Sequence, residues 1–165
     1  MLLFLDPAPR FVWHPVVTAA EFFVSSPPFF LNLAIAILRV AIGVCFIVHG
    51  LGKLGIVGPG NLAGFTSWLK ALGFPFPGLQ ARAAMMTELG GGTLIALGLG
   101  TRLAAFFCLV TMLVAAFLGH KGGGYLITNN PPGNEYALNL AMLMIVLILL
   151  GPGLYSLDSL IFSGR

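Results

Sequence analysis

Charge is what this sequence has least of: of 165 residues only 8 are Lys or Arg and 5 are Asp or Glu, 8% in all. A soluble domain carries charge on roughly a quarter of its residues. This chain has about a third of that, and it has no second compositional block that could form a soluble domain. The few charges are scattered, with a net of +3 and no Lys/Arg run, so nucleic acid is excluded as a partner. Cysteine is equally scarce. Cys45 and Cys108 sit in apolar runs and form no CxxC, so each reads as a small buried apolar side chain, with pairing left open. The first 28 residues lack both a basic start and a clean apolar core, and they carry Asp6, Pro7, Pro9, Pro15 and Glu21. They do not read as a cleaved leader. Phe11, Trp13, Phe22 and Phe23 suit instead a short segment at the headgroup boundary.

What the chain has is apolar length: 58% of its residues are hydrophobic. A membrane helix needs about 20 predominantly apolar residues, so four or five spans fit. Glycine and proline mark their limits. Ser26-Pro27-Pro28 reads as a helix start, a capping hydroxyl followed by proline at the first turn. The first span is predicted at about 29–53, closed by Gly55 to Gly60. Residues 61–74 place Leu62, Phe65, Trp68, Leu69 and Leu72 on one stripe against Ser67 and Lys70. That helix is too short to span and is predicted to lie flat in the interface. Further spans are predicted at about 82–99, 102–119 and 135–150, the middle two forming a hairpin about Gly98-Leu99-Gly100-Thr101. They are short for a full crossing, so their flanks extend them or the bilayer thins. A Gly/Asn/Pro loop covers 121–133, and 155–162 is a short interfacial tail.

The expected fold is therefore all-α: an antiparallel bundle of four transmembrane helices in one domain (29–162), after an N-terminal interfacial segment (1–28). Both ends of the domain then share one face of the membrane, end A. The interfacial helix and the 121–133 loop lie at end B. Lys53, Lys70, Arg82 and Lys121 at end B face Arg10, Arg102 and Arg165 at end A, a balance too even to orient the chain.

Against this apolar background the ionisable groups stand out, since a charge at the centre of a membrane helix costs roughly 2.5–3.5 kcal/mol on insertion scales. His49 lies four residues before Lys53 and Glu88 six after Arg82, so roughly 6 Å and 9 Å deep at 1.5 Å per residue. His120 closes the third span, Glu135 opens the fourth, and Asn139 lies one turn further on. All four helices thus bring polar groups to end B. Glu88 belongs to the row Ala84, Glu88, Gly92, Ala96, Gly100, whose small residues mark a close-packed face, so it should point into the bundle. Arg39 is the deepest charge, and Glu88 is the expected partner for it.

These groups support several chemistries. In the plainest, Glu88 pairs with Arg39 or Lys53, the histidines bond loop carbonyls, and the cluster only holds the bundle together. In another it lines a cavity for a quinone, whose carbonyls need hydrogen-bond donors and a proton relay that His and Glu can supply. Haem held by His49 and His120, or a metal on two His and two Glu, are further readings. The quinone reading makes His49 and Glu88 catalytic, with Arg39, Lys53, His120, Glu135 and Asn139 completing the binding site.

Several stretches resemble the DoxX family of small bacterial membrane proteins. They are Leu38-Arg39-Val40, Phe46-Ile47-Val48-His49-Gly50-Leu51-Gly52-Lys53-Leu54, Gly64-Phe65 with Leu72-Gly73-Phe74-Pro75, and Glu88-Leu89-Gly90-Gly91. Gly98 to Ala105, His120, Gly133 to Leu138 and Gly151 to Asp158 follow in order, over about residues 33–161. The resemblance implies four membrane helices in a bacterial inner membrane and a link to redox chemistry. Relatives include a subunit of a thiosulfate:quinone oxidoreductase and members of membrane complexes with superoxide dismutase and a sulfurtransferase. It implies a quinone-associated oxidoreductase or its membrane component, with a partner subunit or a second copy. The alternative is a non-catalytic anchor that recruits a soluble redox or sulfur-metabolism enzyme. More distant four-helix relatives use paired cysteines with quinone, and this chain has no such pair.

Overall fold

The computed structural model describes residues 26–162; the N-terminal segment predicted to lie at the interface falls outside them. Among the described residues every regular element is helical. Helix α1 runs Pro28–Leu54. Its cap is Pro27 with no side-chain hydrogen bond, so the hydroxyl cap predicted at Ser26 is not formed. Pro28 fills the first turn, where a missing N–H costs nothing. At the other end Gly55 takes φ +78°, its N–H bonding Gly52 O, with Ile56 N on Leu51 O. This is the left-handed closure that glycine favours after a helix.

Helix α2 is Leu62–Ala71, capped by the Asn61 side chain accepting from Gly64 N at 2.8 Å. Helix α3 spans residues 77–97 without a break: Pro77–Met86, a π turn Thr87–Gly91, then Gly92–Leu97. It begins a turn earlier than the predicted 82. Pro77 starts the helix rather than interrupting it, because its fixed φ suits the first helical position. Helix α4 is Thr101–Val114, continued by a second π turn, Ala115–Gly119. Helix α5 is Glu135–Leu150 and α6 is Leu157–Phe162. Two of these, Pro28–Leu54 and Thr101–Gly119, are long and apolar enough to cross a membrane; Glu135–Leu150 is apolar but shorter.

Two antiparallel pairs dominate the packing, α4 on α5 and α1 on α3. The second is a backbone-to-backbone contact. A Cβ on Gly43 would lie 2.6 Å from Gly92 O, and one on Gly92 would lie 2.8 Å from Gly43 O. Glycine is what permits that approach. Phe46, Ile95, Cys108, Met144 and Leu147 fill the core between the pairs. Large apolar side chains cover the outside, among them Ile37, Leu103, Phe106, Phe117 and Leu149. An apolar exterior of this extent suits lipid rather than water.

At end A the packing is locked by polar contacts to backbone. Arg39 is buried, 1% exposed, and its Nη1 donates to Ile95 O (3.0 Å) and Ala96 O (3.1 Å), while Nη2 donates to Tyr155 O. Ile95 and Ala96 belong to the last turn of α3, the negative end of its dipole. The expected Arg39–Glu88 pair is therefore not formed. Glu88 lies seven residues before Ile95, roughly 10 Å further along the helix. Asp158 caps α4 by accepting from Gly100 N (2.7 Å) and Thr101 N (3.0 Å). Asn32 Oδ1 accepts from Leu154 N at 2.8 Å.

Candidate functional site

The opposite end of the molecule holds a cavity of about 350 Å³, enclosed by α1, α2, α3, α4 and α5. Most of its wall is apolar: Phe46, Phe65, Trp68, Leu69, Met112 and Leu140. Its polar groups gather around α1. His49 and Lys53, one turn apart, share a face of that helix. Lys53 is ion-paired with Glu88 of α3, with 16% and 5% of the two side chains exposed. The ammonium also sits 4.8 Å from the centre of the Phe65 ring, a cation–π contact. On the other flank, Tyr136 of α5 brings its phenol oxygen to 2.6 Å from His49 Nε2 and 2.7 Å from Cys45 Sγ. With His49 neutral and protonated on Nδ1, the phenol donates to Nε2 and the thiol donates to the phenol oxygen.

Both π turns lie against this cavity. The extra residue of a π turn swings side chains out of helical register and is frequent at functional sites. The α3 turn carries Glu88, and its Thr87 carbonyl accepts from the buried Cys108 thiol at 3.6 Å. The α4 turn ends at Gly119, where a Cβ would stand 3.1 Å from the Trp68 ring. Trp68 stacks in turn on Phe65, 5.7 Å between centroids. The amphipathic helix α2 thus roofs the cavity with two aromatic rings, seated where α4 has no side chain.

Of the residues singled out from the sequence, His49, Lys53, Glu88 and His120 line the cavity. His120 also bonds through Nδ1 to Pro132 O at 3.1 Å. Three others are placed elsewhere. Arg39 belongs to the lock at end A. Glu135 accepts from Ile127 N at 3.2 Å and ties down the 121–133 loop. Asn139 is exposed on the outer side of α5. Tyr136, Gln80 and Thr111 line the cavity and were not singled out. Tyr136 was legible in principle: stepping 100° from Glu135 along a helix turns its neighbour to another face. Among the described residues no three His, Cys, Asp or Glu side chains converge as a metal ion would require.

The DoxX family model matches residues 34–121, from α1 through the second π turn and so across the Lys53–Glu88 pair. The chain belongs to the DoxX family. It is accordingly a DoxX membrane protein, and its likeness to individual bacterial proteins agrees. It is 34% identical over 137 residues to an uncharacterized protein of Haemophilus influenzae, covering 82% of this chain and 93% of that one. It is 28% identical to the inner membrane protein YqjF of Escherichia coli, covering 79% and 93%. The same identity relates it to a Bacillus subtilis protein named "Putative oxidoreductase CatD", covering 78% and 87%. No solved structure matches the chain.

Proposed function

We propose that this DoxX chain is the membrane component of a quinone-linked oxidoreductase in a bacterial inner membrane. In this reading α1, α3, α4 and α5 form a four-span bundle, with α2 and α6 lying at its two faces. The cavity of about 350 Å³ supports the proposal: an apolar, aromatic-walled space with two hydrogen-bonded polar pairs beside α1. Ligand sites of roughly 300–1,000 Å³, apolar with a few placed polar groups, are the usual form for small molecules. A flat ring with polar oxygens and an apolar remainder matches this wall. Phe65 and Trp68 offer ring faces, while Lys53, His49 and Tyr136 offer hydrogen bonds.

A bound quinone supplies two-electron, two-proton chemistry. The chain's own residues would hold the ring and hold protons beside it. Lys53 keeps its ammonium fixed between Glu88 and the Phe65 ring, and His49 and Tyr136 keep a proton shared at 2.6 Å. The Lys53–Glu88 pair is largely removed from solvent, 16% and 5% exposed, which strengthens it. The oxidoreductase name of the B. subtilis relative supports the same reading.

Trp68 provides the test, because its ring lines the cavity. In a Trp13→Phe background, ubiquinone-1 added to the protein in nanodiscs should quench Trp68 fluorescence saturably. Alanine at His49 or at Glu88 should weaken the midpoint by about tenfold, the worth of one hydrogen bond to a charged or well-placed group. Quenching that never saturates, or midpoints unmoved in both variants, would sink the proposal.

A further inference from the structure

Outside α2 lies a second hollow of about 590 Å³, bounded by the end of α1, the 57–61 turn and the first half of α2. It shares His49, Lys53, Phe65 and Trp68 with the inner cavity. Tyr136 and Glu88 line the inner cavity and do not reach the outer hollow. Each inner group is hydrogen-bonded to a shared one, Tyr136 to His49 and Glu88 to Lys53. The wall between the spaces is thus crossed by two separate polar pairs, each with an ionisable inner and an ionisable outer member. The outer hollow is bordered by Asn61 and by the backbone of Gly52, Gly60 and Gly64, which gives it a more polar lining than the inner cavity has.

Resting on the quinone reading above, we propose that Tyr136 is the group that hands a proton to the bound ring, with His49 as its link to water in the outer hollow. With His49 protonated on both nitrogens, its Nε2–H donates to the phenol oxygen, so Tyr136 can pass its hydroxyl hydrogen to a ring oxygen, breaking that O–H bond. Protonated His49 restores it through Nε2, and His49 recovers its proton from water on its other side. Lys53 serves a second oxygen in the same way, giving up one ammonium hydrogen and regaining it from the outer hollow, while Glu88 holds it in place. Two such paths match the two protons that a quinone takes up with two electrons. Those electrons come from an external reductant, dithionite in the experiment below. Cys45, which does not line the cavity, acts as a positioning residue that fixes the phenol oxygen.

The experiment separates this inference from the reading it rests on. Quenching of Trp68 by ubiquinone-1 is measured first on wild type, Tyr136→Phe and His49→Gln in nanodiscs. Bound ubiquinone-1 is then reduced with dithionite in H₂O and D₂O, and infrared difference spectra are recorded with ring-¹³C tyrosine. Tyr136→Phe should still bind saturably, its midpoint weakened by up to about tenfold for the lost hydrogen bond, and rates are compared at saturation. It should protonate the ring about a hundredfold more slowly, the lower range for losing a general acid. It should also lose a tyrosine band that shifts with the label. His49→Gln keeps a hydrogen bond to the phenol but cannot carry the proton, so it should retain the tyrosine band and slow the reaction similarly. Saturable binding with wild-type rates at saturation and an unchanged solvent isotope effect in Tyr136→Phe overturns the relay while leaving the quinone site standing. Absence of wild-type quenching overturns both.

Discussion

Lys53 and Glu88 illustrate how one contact can serve both folding and a site. Both side chains are largely removed from solvent, so each neutralises a partner that would otherwise be a lone charge in an apolar setting. Removing one member of a buried pair costs about 3–5 kcal/mol, because the other is left uncompensated, whereas replacing both is close to neutral. Lys53→Met and Glu88→Gln should each lower the thermal midpoint in detergent, and the double variant should recover most of the loss. Additive losses would show that the two residues act independently. At this scale the sequence was partly readable. Spacing alone brought His49, Lys53, Glu88 and His120 to one end, since four helices alternating in direction leave little choice. The partner of Arg39 was not readable, because it consists of three backbone carbonyls, and carbonyls carry no residue-type signal.

At the scale of helices, glycines with the same name have opposite roles. Gly92 faces α1 with no room for a methyl group, whereas a Cβ on Gly90 meets nothing within 4 Å. Gly92→Val should prise α1 from α3 and destabilise by about 1–3 kcal/mol, the usual cost of overpacking. Gly90→Ala should be neutral or stabilise by up to about 1 kcal/mol, since alanine loses less backbone freedom in a helix. Thermal unfolding of the two variants side by side checks this, and equal losses would contradict the seam. Helix limits were legible where Gly and Pro punctuate the chain, apart from the start of α3, expected at about 82 and found at Pro77. The π turns were hidden: nothing in residues 87–91 or 115–119 distinguishes an i→i+5 bond from the α pattern, and packing against neighbours decides between them. Without those turns the seat of Trp68 on Gly119 could not be placed, so the roof of the cavity was not legible.

For the whole molecule, polarity divides between the ends. End A is closed by Arg39, Asp158 and Asn32 on backbone groups, while the opposite end keeps its ionisable side chains around open space. A bundle locked at one end and hollow at the other can hold a ligand without loosening its core. The proposed four-span arrangement also makes a topological prediction. In right-side-out and inverted vesicles, an impermeant maleimide should label Val57→Cys and Lys121→Cys from one side, and Ser26→Cys and Pro152→Cys from the other. Mixed labelling within either pair would contradict four crossings. Membrane character and family were readable from apolar length and from motif order along the chain. Occupancy was not, because the cavity arises from five helices, each contributing only a few residues to its wall.

The central claim is that this cavity holds a quinone, and the most direct measurement is mass spectrometry of an organic extract from protein purified gently from its native membrane. A quinone in near-stoichiometric amount, lost from a Glu88→Ala variant that remains folded, is the predicted result. Protein that carries no quinone, but copurifies with a soluble enzyme in fixed ratio, would contradict it and make the chain an anchor.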